Sequence, residues 1–232
     1  MKYGHKALFT ASGIISGLCL IILLLYFAVA APSFGMWFYN WQYGANSTYE
    51  VVNMHPDDLH EVTRHMIRYM QGHYDRDTGL QIMTTIAGQS RDFFSDIEIR
   101  HMVDVYDLFG IGFLIRNIAV MLSAISFAIF IIFGRKHLRY LFMGWQLASI
   151  VIFSCLVILA VTIAVNWHRA FVVFHEIFFD NDYWILDRRV DLLINIVPYD
   201  FFITLSVVIA SIFAVGLAAI FGISTFLKRR FD

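Results

Sequence analysis

Apolar and polar positions fall into long blocks along this chain. No Asp, Glu, Lys or Arg occurs from Ala7 to Tyr49, from Tyr140 to His168 or from Phe201 to Leu227, and the run from Leu108 to Gly134 is broken only by Arg116. A helix needs about 20 apolar residues to cross the hydrocarbon core of a bilayer, so these runs predict four spanning helices over about residues 10–31, 109–133, 140–165 and 202–226. Each must be helical, because lipid offers no partner to an unpaired backbone group. The stretches between them are polar and long enough to order themselves. His55-Pro56-Asp57-Asp58 reads as a helix start, with proline early and acids in the first turn. Leu59, Val62, Met66 and Tyr69 or Met70 then recur at helical spacing, and Gly72 can end the run. Gly79 to Ile86 is β-prone and predicts one strand of a hairpin. Ser95-Asp96-Ile97-Glu98 has the form of a capping box, which predicts a helix running from Ser95 toward the second span.

Composition agrees with this layout. The 232 residues are 59% hydrophobic and 15% charged, and the mean hydropathy is +0.67. Soluble domains carry about 25% charged residues, so the soluble class and the disordered class are both excluded. Seventeen basic residues against eighteen acids give a formal net charge of −1, with no global bias toward nucleic acid. Cys19 and Cys155 lie inside apolar runs and offer no disulfide framework. Ala28-Val29-Ala30 could mimic a signal-peptide cleavage site, but the first apolar stretch is long for one and three spans follow, so an uncleaved first helix is expected. Leu18 stands where a lipobox would need a small residue before Cys19.

The distribution of charge predicts orientation. Residues 1–9, 134–139 and 227–232 carry eight basic residues (Lys2, Lys6, Arg135, Lys136, Arg139, Lys228, Arg229, Arg230) against the one acid Asp232. Residues 32–107 and 166–200 carry eight arginines, no lysine and seventeen acids. The first set is expected on the cytoplasmic side and the second outside. The fold class expected is therefore mainly α: a four-helix polytopic membrane protein with a small extracytoplasmic α(+β) cap. Its segments are 1–31 (N-terminus and first span), 32–107 (cap), 108–165 (second and third spans with a basic loop), 166–200 (second outer loop) and 201–232 (fourth span and basic C-terminus).

Nine histidines raise the question of a metal. His60 and His65 are five residues apart, about 140° around a helix, so they do not share an ion and no metal site is expected. His5 and His137 sit with basic residues as interfacial anchors, and His55 and His73 read as surface or capping residues. His101 differs. On a helix from Ser95 it shares a face with Glu98 and with Asp104 or Val105, and a carboxylate three residues away can orient an imidazole. His175 lies among aromatics in Phe174-His175-Glu176-Ile177-Phe178-Phe179, ahead of a polar turn at Asp180 to Asp182; His168 is a weaker rival on a similar face. Trp167, Tyr183 and Trp184 suit a membrane–water interface. Arg116 is the one charge within a span and has a snorkelling account as well as a functional one.

Taken together, the two histidine segments resemble the bacterial lipoprotein intramolecular transacylase family. The specific parts are Glu98, His101, Met102, Asp104 and Val105 in the first segment, and Phe174, His175, Phe178, Phe179, Trp184 and Asp187 in the second. The resemblance covers nearly the whole chain. It implies an enzyme of the bacterial cytoplasmic membrane that acts on a diacylglyceryl-modified lipoprotein. The α-amine of the N-terminal cysteine attacks the sn-2 ester of its own lipid and leaves the lyso form. It also implies that His101 and His175 carry the catalysis, one as base and one as acid. Glu98 and Asp104 are expected to support His101, and Arg116 is a possible oxyanion donor. Phe174, Phe178, Phe179, Tyr183 and Trp184 are expected to contact lipid in an apolar cleft among the spans. An ester-to-amide shift is downhill, so no cofactor is required. Holding amine and ester of one molecule in register supplies part of the barrier, and two histidines near neutrality supply the proton traffic. The alternatives are another interfacial acyltransferase or hydrolase, and a non-catalytic scaffold or sensor. A transporter is disfavoured, because no broken polar helix pair is visible.

Overall fold

The computed structural model of the chain describes residues 2–133 and 137–230, with the side chains of residues 2–6 and 133 outside the description. Arg135, Lys136 and Asp232, and the side chains of Lys2, His5 and Lys6, therefore lie outside the described residues. Four helices are long and apolar enough to cross a membrane. They are α1 (Lys2–Ser33), α5 (Asp96–Phe133), α6 (Leu138–Val165) and α9 (Tyr199–Lys228). Between α1 and α5 lie α2 (Met36–Ala45), α3 (Thr48–Val52), α4 (Pro56–Met70), β1 (Met83–Ile86) and β2 (Gln89–Asp92). Between α6 and α9 lie α7 (Trp167–Phe178) and the single turn α8 (Leu193–Ile196). The chain divides into two compact units. One is Met1–Ala28, Phe113–Asn166 and Ile209–Asp232; the other is Val29–Gly112 and Trp167–Val208.

The first unit is built from the spanning helices. Small residues let two backbones touch: a Cβ added at Gly144 of α6 would lie 2.2 Å from the Gly13 carbonyl carbon of α1, and one at Gly13 would lie 2.4 Å from the Tyr140 oxygen. Lipid supplies no hydrophobic drive between helices, so close van der Waals approach and a few polar contacts hold them. Ser12 Oγ donates to Ser126 Oγ at 3.4 Å, Trp145 Nε1 to Ser16 Oγ at 3.1 Å and Gln146 Nε2 to Thr225 Oγ1 at 2.8 Å. Cys19 and Cys155 are free thiols.

The second unit has an aromatic core instead. Phe38, Tyr43, Leu59, Val62, Tyr69, Phe93 and Ile196 are essentially fully buried in one cluster. Helix α4 begins as its sequence predicts. His55 caps it, its Nδ1 accepting from the Asp57 N–H at 3.3 Å, with Pro56 in the first turn. The apolar stripe Leu59, Val62, Met66, Tyr69 and Met70 faces the core, and Gly72 follows at φ +79. Strand β1 is the expected strand, and it pairs antiparallel with β2 from Ile86 opposite Gln89 to Met83 opposite Asp92. The two-residue turn Ala87-Gly88 has φ +51 and +78, the backbone of a type I′ hairpin turn.

The unbroken helix α5 matters most for the site. Its 38 residues extend about 57 Å, nearly twice the roughly 30 Å of hydrocarbon. Its charges other than Arg116 all fall within residues 96–107. A break at Asn166, with φ −149 and ψ 79, separates α6 from α7.

Candidate functional site

The site starts at the capping box that opens α5. The Ser95 N–H donates to Glu98 Oε2 at 2.6 Å, and the Glu98 N–H donates to Ser95 Oγ at 3.4 Å. Glu98 is 1% exposed, and its other oxygen accepts from the Leu193 N–H. Asp191, also buried, accepts from Ser95 Oγ at 2.9 Å and from the Asp187 N–H at 2.8 Å. All four carboxylate oxygens are satisfied, and the knot ties residues 187–193 to the first turn of α5. One turn further on stands His101. Its Nδ1 is buried and has no hydrogen-bond partner.

Helix α7 turns its histidine inward. His175 is 7% exposed, while Phe174, Ile177 and Phe178 around it are 45%, 70% and 51% exposed. His175 Nδ1 lies 2.7 Å from the Phe171 carbonyl oxygen. A carbonyl only accepts, so Nδ1 carries the proton and Nε2 of the neutral ring keeps its lone pair. Burial pushes the His175 imidazole below the usual histidine range, and the Phe171 carbonyl, which favours the cation, offsets part of that.

The two imidazoles converge, with ring centroids 6.2 Å apart and planes at 34°. Aromatic rings enclose them. Phe179 lies edge-on to His101 at 5.4 Å, and Trp184 lies over His175 at 4.6 Å and 31°. Phe171, Phe174 and Phe179 approach His175 at 4.3, 5.4 and 5.6 Å.

The expected supporting groups are arranged differently from the sequence reading. Glu98, His101 and Asp104 do share a face, but neither carboxylate bonds His101. Glu98 is taken by backbone N–H groups, and Asp104 Oδ2 accepts from Asn181 Nδ2 at 2.9 Å. Arg116 belongs to the first unit, where Nη1 donates to the Tyr26 hydroxyl at 2.9 Å and Nε and Nη2 both donate to Asn117 Oδ1 at 3.1 Å. Its guanidinium lies 4.9 Å from the Tyr26 ring centre and 5.3 Å from that of Phe113. Those partners satisfy it without a substrate. The five aromatics separate. Phe179 and Trp184 pack on the histidines, Phe174 and Phe178 point outward against each other at 4.8 Å, and Tyr183 lies under Arg100 at 5.5 Å. Beside this cluster lies a surface cleft of about 390 Å³ lined by residues between 176 and 185, with Phe179 and Trp184 inside and Glu176, Asp180 and Asp182 at its rim. The polar turn after α7 supplies that rim.

His60, His65 and His168 lie away from this pair with neighbours of their own. His60 Nε2 bonds the Tyr49 hydroxyl at 2.9 Å, His65 Nε2 bonds the Gly79 carbonyl at 2.8 Å, and His168 lies beside Tyr199 at 6.3 Å. Among the described residues, no three His, Cys, Asp or Glu gather to hold a metal ion. Asn181 and Asp191 are the participants that sequence reasoning missed. They meet residues 77 and 96 positions away, and nothing in their immediate neighbours signals it.

Comparison with known proteins gives two concordant results. Comparison with curated protein sequences gives no significant match. Among solved structures, the fold is similar to that of the membrane-integral lipoprotein intramolecular transacylase Lit from Bacillus cereus, with 21% identity and a TM-score of 0.78 over 99% of this chain and 100% of that one. A form of that protein with one histidine changed to alanine matches at 20% identity and TM-score 0.75 over 99% of each chain; a form with the change to arginine matches at 19% and 0.74 over 98% of this chain and 95% of that one. The profile of the family described as lipoprotein intramolecular transacylase Lit matches residues 14–202, from the first span through both histidine segments to the start of the fourth. This chain belongs to the lipoprotein intramolecular transacylase (Lit) family.

Proposed function

We propose that this chain moves the sn-2 acyl group of a diacylglyceryl-cysteine lipoprotein onto the α-amine of the same cysteine, with His101 and His175 as the catalytic pair. The observation that carries this reading is the convergence of the two imidazoles at 6.2 Å inside an aromatic shell. His175 is the proton carrier, because its Nδ1–H is committed to the Phe171 carbonyl and its Nε2 is free. The amine reaches its neutral form by losing its extra proton to solvent. As its nitrogen bonds the ester carbonyl carbon, His175 Nε2 takes the N–H proton of the tetrahedral intermediate. When the carbon–oxygen bond to glycerol breaks, His175 returns that proton to the departing oxygen. His101 donates from a ring N–H to the oxyanion. Two imidazolium cations this close in apolar surroundings repel strongly, so one ring carries the extra proton while the other stays neutral. Proton transfer of this kind supplies about 10²- to 10⁴-fold in rate, and holding amine and ester in register supplies more.

The charge bias of the loops supports placing the second unit on the outer face of the cytoplasmic membrane, with both termini inside. Exposed Phe174, Ile177 and Phe178 then face lipid, where an acylated substrate resides.

The test is expression in a host whose lipoproteins carry a free N-terminal amine, followed by tandem mass spectrometry of the N-terminal lipopeptide. Relocation of one acyl chain to the amine at unchanged mass is expected. Loss of an acyl chain marks a hydrolase and rejects the reading.

A further inference from the structure

Resting on the site reading above, we infer that Asp104 and Asn181 are positioning residues that hold Trp184 against the His175 imidazole. Residues 179–192 contain no helix or strand; the Ile185 N–H bonded to the Asp182 carbonyl and the Leu186 N–H bonded to the Trp184 carbonyl shape the turn around Trp184, and one side-chain amide ties that turn to α5. Asn181 Nδ2 donates to Asp104 Oδ2 at 2.9 Å, and Asn181 Oδ1 accepts the Tyr183 N–H at 3.0 Å. Both ends of the amide are used, so its orientation is set by its partners. The neighbouring Tyr183 is seated by Arg100, whose guanidinium lies 5.5 Å from the ring centre and whose Nη1 donates to the hydroxyl at 3.4 Å. Arg100 and Asp104 are four apart on α5 and share a face, with His101 on the adjoining side next to Asp104. A single turn of α5 thus supplies one histidine and the two side chains that seat an aromatic ring on the other.

The consequence falls on His175. The groups packed around it are Phe171, Phe174, Phe179 and Trp184, and the one titratable side chain facing it is His101. No carboxylate touches it among the described contacts. Its affinity for a proton therefore depends on how well those rings exclude water. Phe179 follows α7 directly, its N–H bonded to the His175 carbonyl at 2.8 Å, whereas Trp184 lies five residues further on and depends on the turn. A single partly exposed hydrogen bond contributes little to stability. Misplacing a group by about 1 Å at a reacting centre costs up to about 10²-fold in rate. The Asp104–Asn181 bond therefore matters more to rate than to folding.

The test uses the full chain in detergent with a synthetic diacylglyceryl-cysteine lipopeptide, with acyl relocation measured by mass spectrometry across pH. Asp104→Asn keeps an acceptor for Asn181 and is expected to stay near the parent rate. Asn181→Asp sets carboxylate against carboxylate and is expected to lower kcat at least ten-fold. Its acid limb, taken after the rate is corrected for the fraction of neutral substrate amine, should move up toward the ordinary histidine value as water reaches His175. The double exchange Asp104→Asn with Asn181→Asp reverses donor and acceptor, and should recover both rate and limb. Trp184→Leu, which keeps apolar bulk without the ring, should reproduce the upward shift if Asn181→Asp fails to fold. An unmoved acid limb in both Asn181→Asp and Trp184→Leu overturns the inference, as does a double exchange that restores nothing. His175→Ala separates the two readings. Activity in that variant rejects the histidine pair itself, whereas its inactivity beside a wild-type Asn181→Asp rejects only the positioning role.

Discussion

Glu98 and His101 stand one turn apart on the same face of α5, and the structure completes one and leaves the other open. Around Glu98 every oxygen has a donor, and the neighbouring Asp191 is equally satisfied. At His101 a buried ring nitrogen has none. Five buried side-chain atoms among the described residues lack a partner, and the other four belong to Thr48, Ser123, Ser149 and Trp167. His101 is the one of the five whose side chain moves protons near neutral pH. A buried polar group is normally hydrogen-bonded because leaving it bare costs free energy, and the bare nitrogen beside a second imidazole is where the proposed reaction would supply a partner. The Glu98 knot holds shape; the histidine pair is the proposed seat of the chemistry.

That contrast breaks first at the histidines. His101→Ala and His175→Ala are each expected to cut acyl transfer by about 10²-fold or more while thermal stability stays near the parent value. Lipopeptide mass spectrometry beside a thermal melt reads both, and full activity in either folded variant removes the chemical half of the contrast. Glu98→Ala should do the reverse. It strands the Ser95 and Leu193 N–H groups and is expected to cost about 3 kcal/mol of stability, with the molecules that remain folded keeping the parent pH profile. Glu98→Gln, which retains one acceptor, should cost roughly half of that in the same melt. The pH profile sharpens the distinction further. Neutral His175 is the working form, and burial lowers its proton affinity. Once the rate is corrected for the fraction of substrate amine that is neutral, activity should persist as pH falls below the ordinary histidine range, drop only through the lowered value, and stay flat as pH rises above it. An acid limb above the ordinary histidine value would contradict a buried base. The smallest effect is a control away from both regions. Ala87 sits at φ +51 in the β1–β2 turn, and Ala87→Asn should stabilise by about 1 kcal/mol with unchanged turnover.

Much of this was legible in local sequence. The four spans, the Pro56 helix start and the Ser95 capping box each depend on residues a few positions apart, and each appears where its pattern predicts. Helix α2 escaped because its residues 36–45, beyond the first span, are rich in aromatics without a clear polar face or a capping side chain at Gly35. Strand β2 escaped because Gln89-Ser90-Arg91-Asp92 is wholly exposed and carries no apolar alternation; its partner β1 and the turn make it a strand. His101 was singled out by its helical spacing to Glu98 and Asp104 and His175 by its aromatic setting, but their pairing as a catalytic couple came only through resemblance.

The amino-acid sequence by itself determined the membrane class, the number of spans and the polar segments that carry the histidines, because transfer into lipid and helix capping are decided residue by residue and turn by turn. Tertiary structure decided which partners those polar groups found. Asp104 meets Asn181 rather than His101, and Glu98 closes on Leu193. His175 receives Trp184 overhead and a carbonyl that fixes its tautomer. Most of those pairings join residues far apart in the chain, and they form only once packing has removed water and left each donor a single acceptor within reach.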